Sequence, residues 1–159
     1  MRTIELEVLT FDELSDSAKD TARDWWRQGN EYTWWSDALK SIEEFCCEFG
    51  VKITDYQVGS WRPSYMETNA SNDHFRGRKL SEFKADHNPT GYCLDLTLWN
   101  TFLDEWKATG SALIAFNKAI DEAVRDIVRD MEYQDSDEAV DEMLIVNQYE
   151  FYPNGKIYH

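Results

Sequence analysis

The sequence predicts an α+β domain, a mainly antiparallel sheet of about five strands with helices packed on one face. Three observations predict it. Stretches of two-residue alternation stand at Arg2–Leu9, Val51–Val58 and Tyr92–Leu98. The tail places Asn154-Gly155 between two short aromatic-apolar runs, the signature of a hairpin. Helical periodicity comes in clusters and does not alternate strictly with the strands, which argues against a parallel α/β sheet. The chain of 159 residues reads as a single domain over 1–159, with an irregular loop region over 59–90.

Each element has a local reason. Ile4, Leu6 and Val8 alternate with Thr3, Glu5 and Glu7, a half-buried strand. Thr10 and Glu13 have capping-box spacing, and Ser15 and Asp16 offer a second cap. The helix that follows turns Ala18, Ala22, Trp25 and Trp26 toward the core and ends at Gly29-Asn30. A second helix, Thr33 to Phe49, buries Trp35, Ala38, Leu39, Ile42, Phe45, Cys46 and Phe49 and stops at Gly50.

The strand Val51–Val58 precedes the irregular stretch, where Leu80–Phe83 has room for one helical turn. Tyr92, Leu94, Leu96 and Leu98 alternate with Cys93, Asp95 and Thr97 as a third strand. Asn100 or Thr101 caps a short helix with Phe102, Leu103 and Trp106, ended by Gly110. Ser111–Met131 is the longest helix, and the rest of the chain is organised around it. Ala112, Phe116, Ala119, Ile120, Ala123, Ile127 and Met131 line one face, widened by Leu113, Ile114, Val124 and Val128. Asp135 and Ser136 recap the chain for a helix over Asp137–Val146, and the hairpin closes the tail.

Composition bounds the function. Net charge is −15, which argues against direct nucleic-acid binding, since that requires Lys and Arg to displace counterions. No apolar run reaches the length of a membrane span, and MRTIELEV has no signal-peptide core, so a cytoplasmic location and no membrane partner are expected. Cys46, Cys47 and Cys93 form no CxxC and read as small buried apolar residues. There is no P-loop, GxGxxG, HExxH or GxSxG. His74, His87 and Cys93 match no common zinc spacing. No catalytic residue, metal or cofactor is expected.

Two constellations remain. Residues 121–142 hold ten acidic side chains opposed only by Arg125 and Arg129. Among them Glu122, Asp126 and Asp130 stand four apart on one helical ridge, about 6 Å per step, close to the phosphate spacing of a nucleic-acid strand. Asp137, Glu138 and Asp141 continue the acidic run. The competing reading is a solvated face, with Asp121–Arg125 and Arg129–Glu132 as helix-neighbour ion pairs. The second constellation is aromatic. Trp25-Trp26 and Trp34-Trp35 are adjacent on helices, so one of each pair belongs at a rim or on the surface. Trp26, Trp34 and Trp61 are candidate partner contacts.

The segments TFDELSDSAKDTARDWWRQG and SDEAVDEMLIVNQYEFYPNGKIY resemble a group of small acidic proteins of bacteriophages and mobile elements, some of them described as antitoxins. The resemblance covers roughly the first 60 and last 25 residues. The middle departs from it: where those proteins carry a Gly- and Gln-rich segment, this chain reads VGSWRPSYMETN. The resemblance implies a phage or mobile-element lineage, and with the −15 charge, the acidic ridge and the absence of a catalytic set the expected function is a phage-encoded, non-enzymatic inhibitor acting in the host cytoplasm. Its expected partner is a host defence protein with a basic nucleic-acid-binding surface, a CRISPR effector or a restriction nuclease, blocked by acidic mimicry. The alternatives are an antitoxin that neutralises a cognate toxin and a structural or accessory phage protein with no host target. Monomer and homodimer are both expected states, since a tail hairpin leaves an edge.

Overall fold

A computed structural model describes residues 1–59 and 63–159. The expected antiparallel sheet with helices on one face does not form. The described residues are mainly helical, with two separate two-stranded sheets among them. In chain order the described residues form β1 (Leu9–Thr10), α1 (Asp16–Gly29), α2 (Trp35–Glu48), β2 (Ile53–Gln57), β3 (Tyr65–Thr68), α3 (Leu94–Thr109), α4 (Ala112–Gln134), α5 (Asp137–Val146) and β4 (Glu150–Phe151). They divide into two compact units, Met1–Tyr32 with Glu132–His159, and Thr33–Met131.

In the first unit, α1 starts where the sequence places it, with Ser15 Oγ accepting from the Ala18 amide at 3.3 Å. Ser136 caps α5 in the same way through the Ala139 amide. Ala18 and Ala22 of α1 face Val140 and Leu144 of α5 across a core that includes Phe11, Leu14 and Phe151. The small alanines let the two helices approach closely. Thr10 donates its amide to Glu13 at 3.0 Å, which shapes the turn between β1 and α1. The tail hairpin is present in a short form. Gly155 takes φ +87°, Tyr152 donates to the Lys156 carbonyl, and Phe151 bridges Ile157.

The expected strand over Arg2–Leu9 shrinks to Leu9–Thr10, paired as Leu9↔Phe151 and Thr10↔Glu150. Extending that register brings Glu7 opposite Pro153, which has no amide hydrogen and begins the turn. Residues 1–7 are exposed because the partner strand ends there.

In the second unit, the long helix is confirmed as α4, with Ala115, Phe116, Ala119, Ile120, Ala123, Val124 and Ile127 buried. Ile114, expected to widen that face, is 55% exposed. Phe45 of α2 stacks on Phe116 at 4.9 Å and meets Trp99 edge-on at 4.9 Å. Phe49, Phe75, Phe83 and Phe102 complete an aromatic core, where ring contacts add to area burial.

The expected third strand, Tyr92–Leu98, is instead the entry and first turns of α3. Alternation at steps of two also contains steps of four. Leu94 and Leu98 are buried with Trp99 and Phe102 on a helical face, and Leu96 points out at 37% exposure. The separate short helix expected after Asn100 is the body of this same α3, and Gly110 ends it at φ +69°.

The 59–90 region holds poorly encoded short elements. β3 pairs antiparallel with β2, and single 3-10 turns stand at Asn72–Phe75 and Leu80–Glu82. Trp61 lies outside the described residues.

Candidate partner-binding surface

The best-built surface feature of the second unit is an aromatic platform at the start of α2. Successive helical residues point about 100° apart, so Trp34 and Trp35 cannot share the core. Trp35 is half-buried and tilts against Tyr56 of β2 at 5.6 Å. Trp34 turns outward, 47% exposed, and stacks on Tyr92 at 6.1 Å with ring planes 16° apart. Tyr56 and Tyr65 are also exposed, and the Tyr65 hydroxyl donates to Asp55 at 3.0 Å.

A buried polar network fixes the loop that carries Tyr92. Asp95, fully buried in the first turn of α3, accepts from the Thr90 amide at 2.8 Å and the Thr90 hydroxyl at 2.7 Å through one oxygen. The Thr90 hydroxyl oxygen lies 3.0 Å from Ser41 Oγ of α2 and accepts from the Tyr92 amide at 3.2 Å. The Asn88 amide, turned to satisfy both of its polar atoms, donates to the same Asp95 oxygen at 2.8 Å. A buried carboxylate is tolerated only with such donors around it. The network ties α2, the loop and α3 together and holds Tyr92 beneath Trp34.

The expected acidic ridge is less bare than its spacing implies. Arg125 pairs with Glu122 at 2.7 Å, and Arg129 pairs with Asp126 at 2.9 Å. The expected partners Asp121 and Glu132 are therefore passed over for ridge residues. Glu122 also faces Lys118 at 3.6 Å, and Asp126 accepts from the Thr97 hydroxyl at 2.6 Å. Glu122, Asp126 and Asp130 are all half-buried. An arginine three residues after Glu122 and another three after Asp126 offset these two ridge charges, which relieves the repulsion that like charges four apart would cause.

In the first unit Asp141 accepts two hydrogen bonds from Arg23, at 2.7 and 2.8 Å, and Asp20 accepts a third at 2.8 Å. Asp137 accepts from Arg27 at 2.6 Å. That bond, and then the nearby charge of Arg23, hold the Asp137 carboxyl below the usual carboxylate range. Glu138 is exposed and carries no ion pair among the described residues. Trp26 is half-buried and packs with Trp25 around Tyr149, at 5.9 and 5.4 Å. Trp26 is therefore largely a packing residue, while Trp34 is open to a partner.

A cleft of about 360 Å³ in the second unit is lined by Glu48, Arg78, Glu82, Phe83, Lys84 and His87. Arg78 bonds Glu82 and Glu48 at 2.7 Å each and lies 5.2 Å from the Phe49 and Phe83 rings. Its guanidinium pKa is raised, and the Glu82 carboxyl is held low, chiefly by their mutual hydrogen bond. With its charge already matched, Arg78 is a structural clamp and not a receptor for an anion. Of the three thiols only Cys46 is buried, so the expectation fails for Cys47 and Cys93. No metal-binding cluster is found among the described residues, and none of their helices is long and apolar enough to cross a membrane.

No family model, curated protein or solved structure matches this chain.

Sequence reasoning missed Tyr56, Tyr92 and Asp95. The signal for the last two was the turn Asn88-Pro89-Thr90-Gly91 directly before them. Such a turn, followed by an acidic residue, is a helix entry more often than a strand start.

Proposed function

We propose that this chain is a non-enzymatic bacteriophage or mobile-element protein that binds and inhibits a host nucleic-acid-handling defence protein, a CRISPR effector or a restriction nuclease, in the host cytoplasm. The observation that carries the reading is exposed Trp34, pre-set by its stack on half-buried Tyr92, on a chain of net charge −15. A nanomolar complex needs about −12 kcal/mol, and steering charge alone seldom supplies it. Rigid aromatic anchors contribute about 2 kcal/mol or more each when a partner covers them. Tyr92 is already held by Thr90, so little ordering cost remains on binding. Exposed carboxylates then draw in the basic channel where the host protein holds its nucleic acid. Because Arg125 and Arg129 offset Glu122 and Asp126, mimicry of phosphates is the secondary contribution here.

The test is affinity capture from host lysate at low and high salt, followed by a cleavage assay with the purified captured nuclease. Support is a nuclease or CRISPR subunit that is captured and inhibited, with both effects lost in Trp34→Ala. Inhibition that also falls with Glu122→Lys, Asp126→Lys and Asp130→Lys together assigns mimicry a share. Capture of a small basic protein encoded beside this chain makes it an antitoxin and overturns the reading. An accessory protein without a host target gives no specific partner at either salt.

A further inference from the structure

We propose that the Arg2–Val8 segment is an unfinished β-strand completed by an edge strand of a basic partner protein, in which lysine or arginine alternates with apolar residues. Ile4 is 79% exposed and Leu6 62% exposed. No backbone hydrogen bond reaches residues 1–8 among the described residues. A run of unpaired amides and carbonyls beside an exposed apolar row is a template for strand addition.

The protein's own core does not cover this row. Leu9 packs against the core of the first unit, and Thr10 is exposed. Strand side chains alternate faces, so an extended continuation of β1 carries Ile4, Leu6 and Val8 on the Thr10 side, away from that core. Among the described residues the one strand paired with β1 is β4, which ends at Phe151, and the chain turns at Pro153, opposite Glu7 in the extended register.

Charge selects the occupant. The other face of the segment is Thr3, Glu5 and Glu7. In a second copy, antiparallel pairing centred on Glu5, Leu6 or Glu7 sets glutamate opposite glutamate, and shifting by one residue sets apolar against acidic side chains. Like charges directly opposite destabilise a pair, and each copy also carries −15. A strand with lysine or arginine opposite Glu5 and Glu7, and apolar residues opposite Ile4, Leu6 and Val8, satisfies both faces. This rests on the proposed function only in supplying how a basic partner docks.

The probe is a nine-residue peptide alternating Lys with Val, compared with a Glu/Val peptide and a scrambled Lys/Val peptide, each added to the full chain. Amide hydrogen exchange of residues 3–8 is read by NMR. The Lys/Val peptide is expected to slow exchange there at least tenfold, the other two less than twofold. Glu5→Lys with Glu7→Lys should abolish the protection and transfer it to the Glu/Val peptide. These positions are exposed, and an unchanged far-UV spectrum confirms that the variants fold. Equal protection by all three peptides, or none by any, overturns the proposal. So does protection without peptide accompanied by a doubled sedimenting mass, which assigns the arm to a second copy. No host protein is present, so this outcome is separate from that of the capture experiment. If a nuclease is captured and Leu6→Asp captures it equally well, the arm proposal falls and the proposed function stands.

Discussion

Arg23 grips Asp141 through two near-parallel hydrogen bonds, Nε to Oδ1 at 2.7 Å and Nη2 to Oδ2 at 2.8 Å. The pair joins α1 to α5, and the Arg23 side chain is only 17% exposed. Its guanidinium also lies 5.7 Å from the Phe11 ring centroid. Bidentate, partly desolvated pairs of this kind are the strong class of ion pair. Arg23→Gln should destabilise the protein by about 1–3 kcal/mol. Urea unfolding measures this, and a double-mutant cycle with Asp141→Asn should recover much of the loss as coupling.

Asp137 supplies a pH signature. Its folded-state carboxyl is held low by Arg27 and then by Arg23. A carboxylate depressed in the folded state adds stability above its unfolded pKa and loses it as pH falls through the folded value. Carboxyl NMR should place the Asp137 midpoint below the ordinary 3.8, and Arg27→Gln should raise it part of the way back, because the charge of Arg23 remains. An unshifted wild-type midpoint would contradict the pairing.

Gly155 has no room for a methyl group. A Cβ there would lie 2.1 Å from the Ala18 carbonyl oxygen, and φ is +87°. Gly155→Ala should cost about 2 kcal/mol or more, because both the backbone conformation and the close approach resist it. Lys156→Ala, next door and exposed, should stay within about 0.5 kcal/mol.

Thr90 links the buried network to the aromatic platform. Thr90→Val keeps the volume, removes the hydroxyl that serves Asp95, Ser41 and the Tyr92 amide, and should cost about 1–3 kcal/mol. The Tyr92 ring resonances should move toward free-tyrosine values as the stack with Trp34 loosens.

The three thiols should separate by reactivity. Burial pushes the Cys46 thiol up to about 12, whereas Cys47 and Cys93 are exposed. At pH 8 a disulfide reagent should label Cys47 and Cys93 quickly and Cys46 only on unfolding, since the thiolate is the nucleophile. Mass spectrometry of quenched peptides reads the order.

Elements whose signals are local are legible in the residues alone. Ser15 and Ser136 cap α1 and α5 through amides three residues on. Gly50 and Gly110 stop helices at positive φ, Asn154-Gly155 turns the tail, and the apolar face of α4 is written in steps of three and four. Each depends on neighbours within one or two helical turns, so the reading needs no knowledge of the fold.

The other features depend on contacts between segments far apart in the chain. Tyr92–Leu98 carries spacing that suits a strand or a helix, and the choice falls to Thr90 holding Asp95 while Leu98 and Trp99 enter the aromatic core with Phe45. Arg2–Val8 alternates like a strand, yet a strand needs a partner, and β4 ends at Phe151, just before the turn at Pro153. The acidic ridge was visible as spacing, but Arg125 and Arg129 each had several carboxylates within reach, and rotamers settled which were neutralised. Trp34 was singled out by its adjacency to Trp35, whereas its stacking partner Tyr92 arrives from a distant loop. Local hydrogen bonding and periodicity are written residue by residue. Pairing between segments depends on what else competes for the same surface, and only the folded chain resolves that competition.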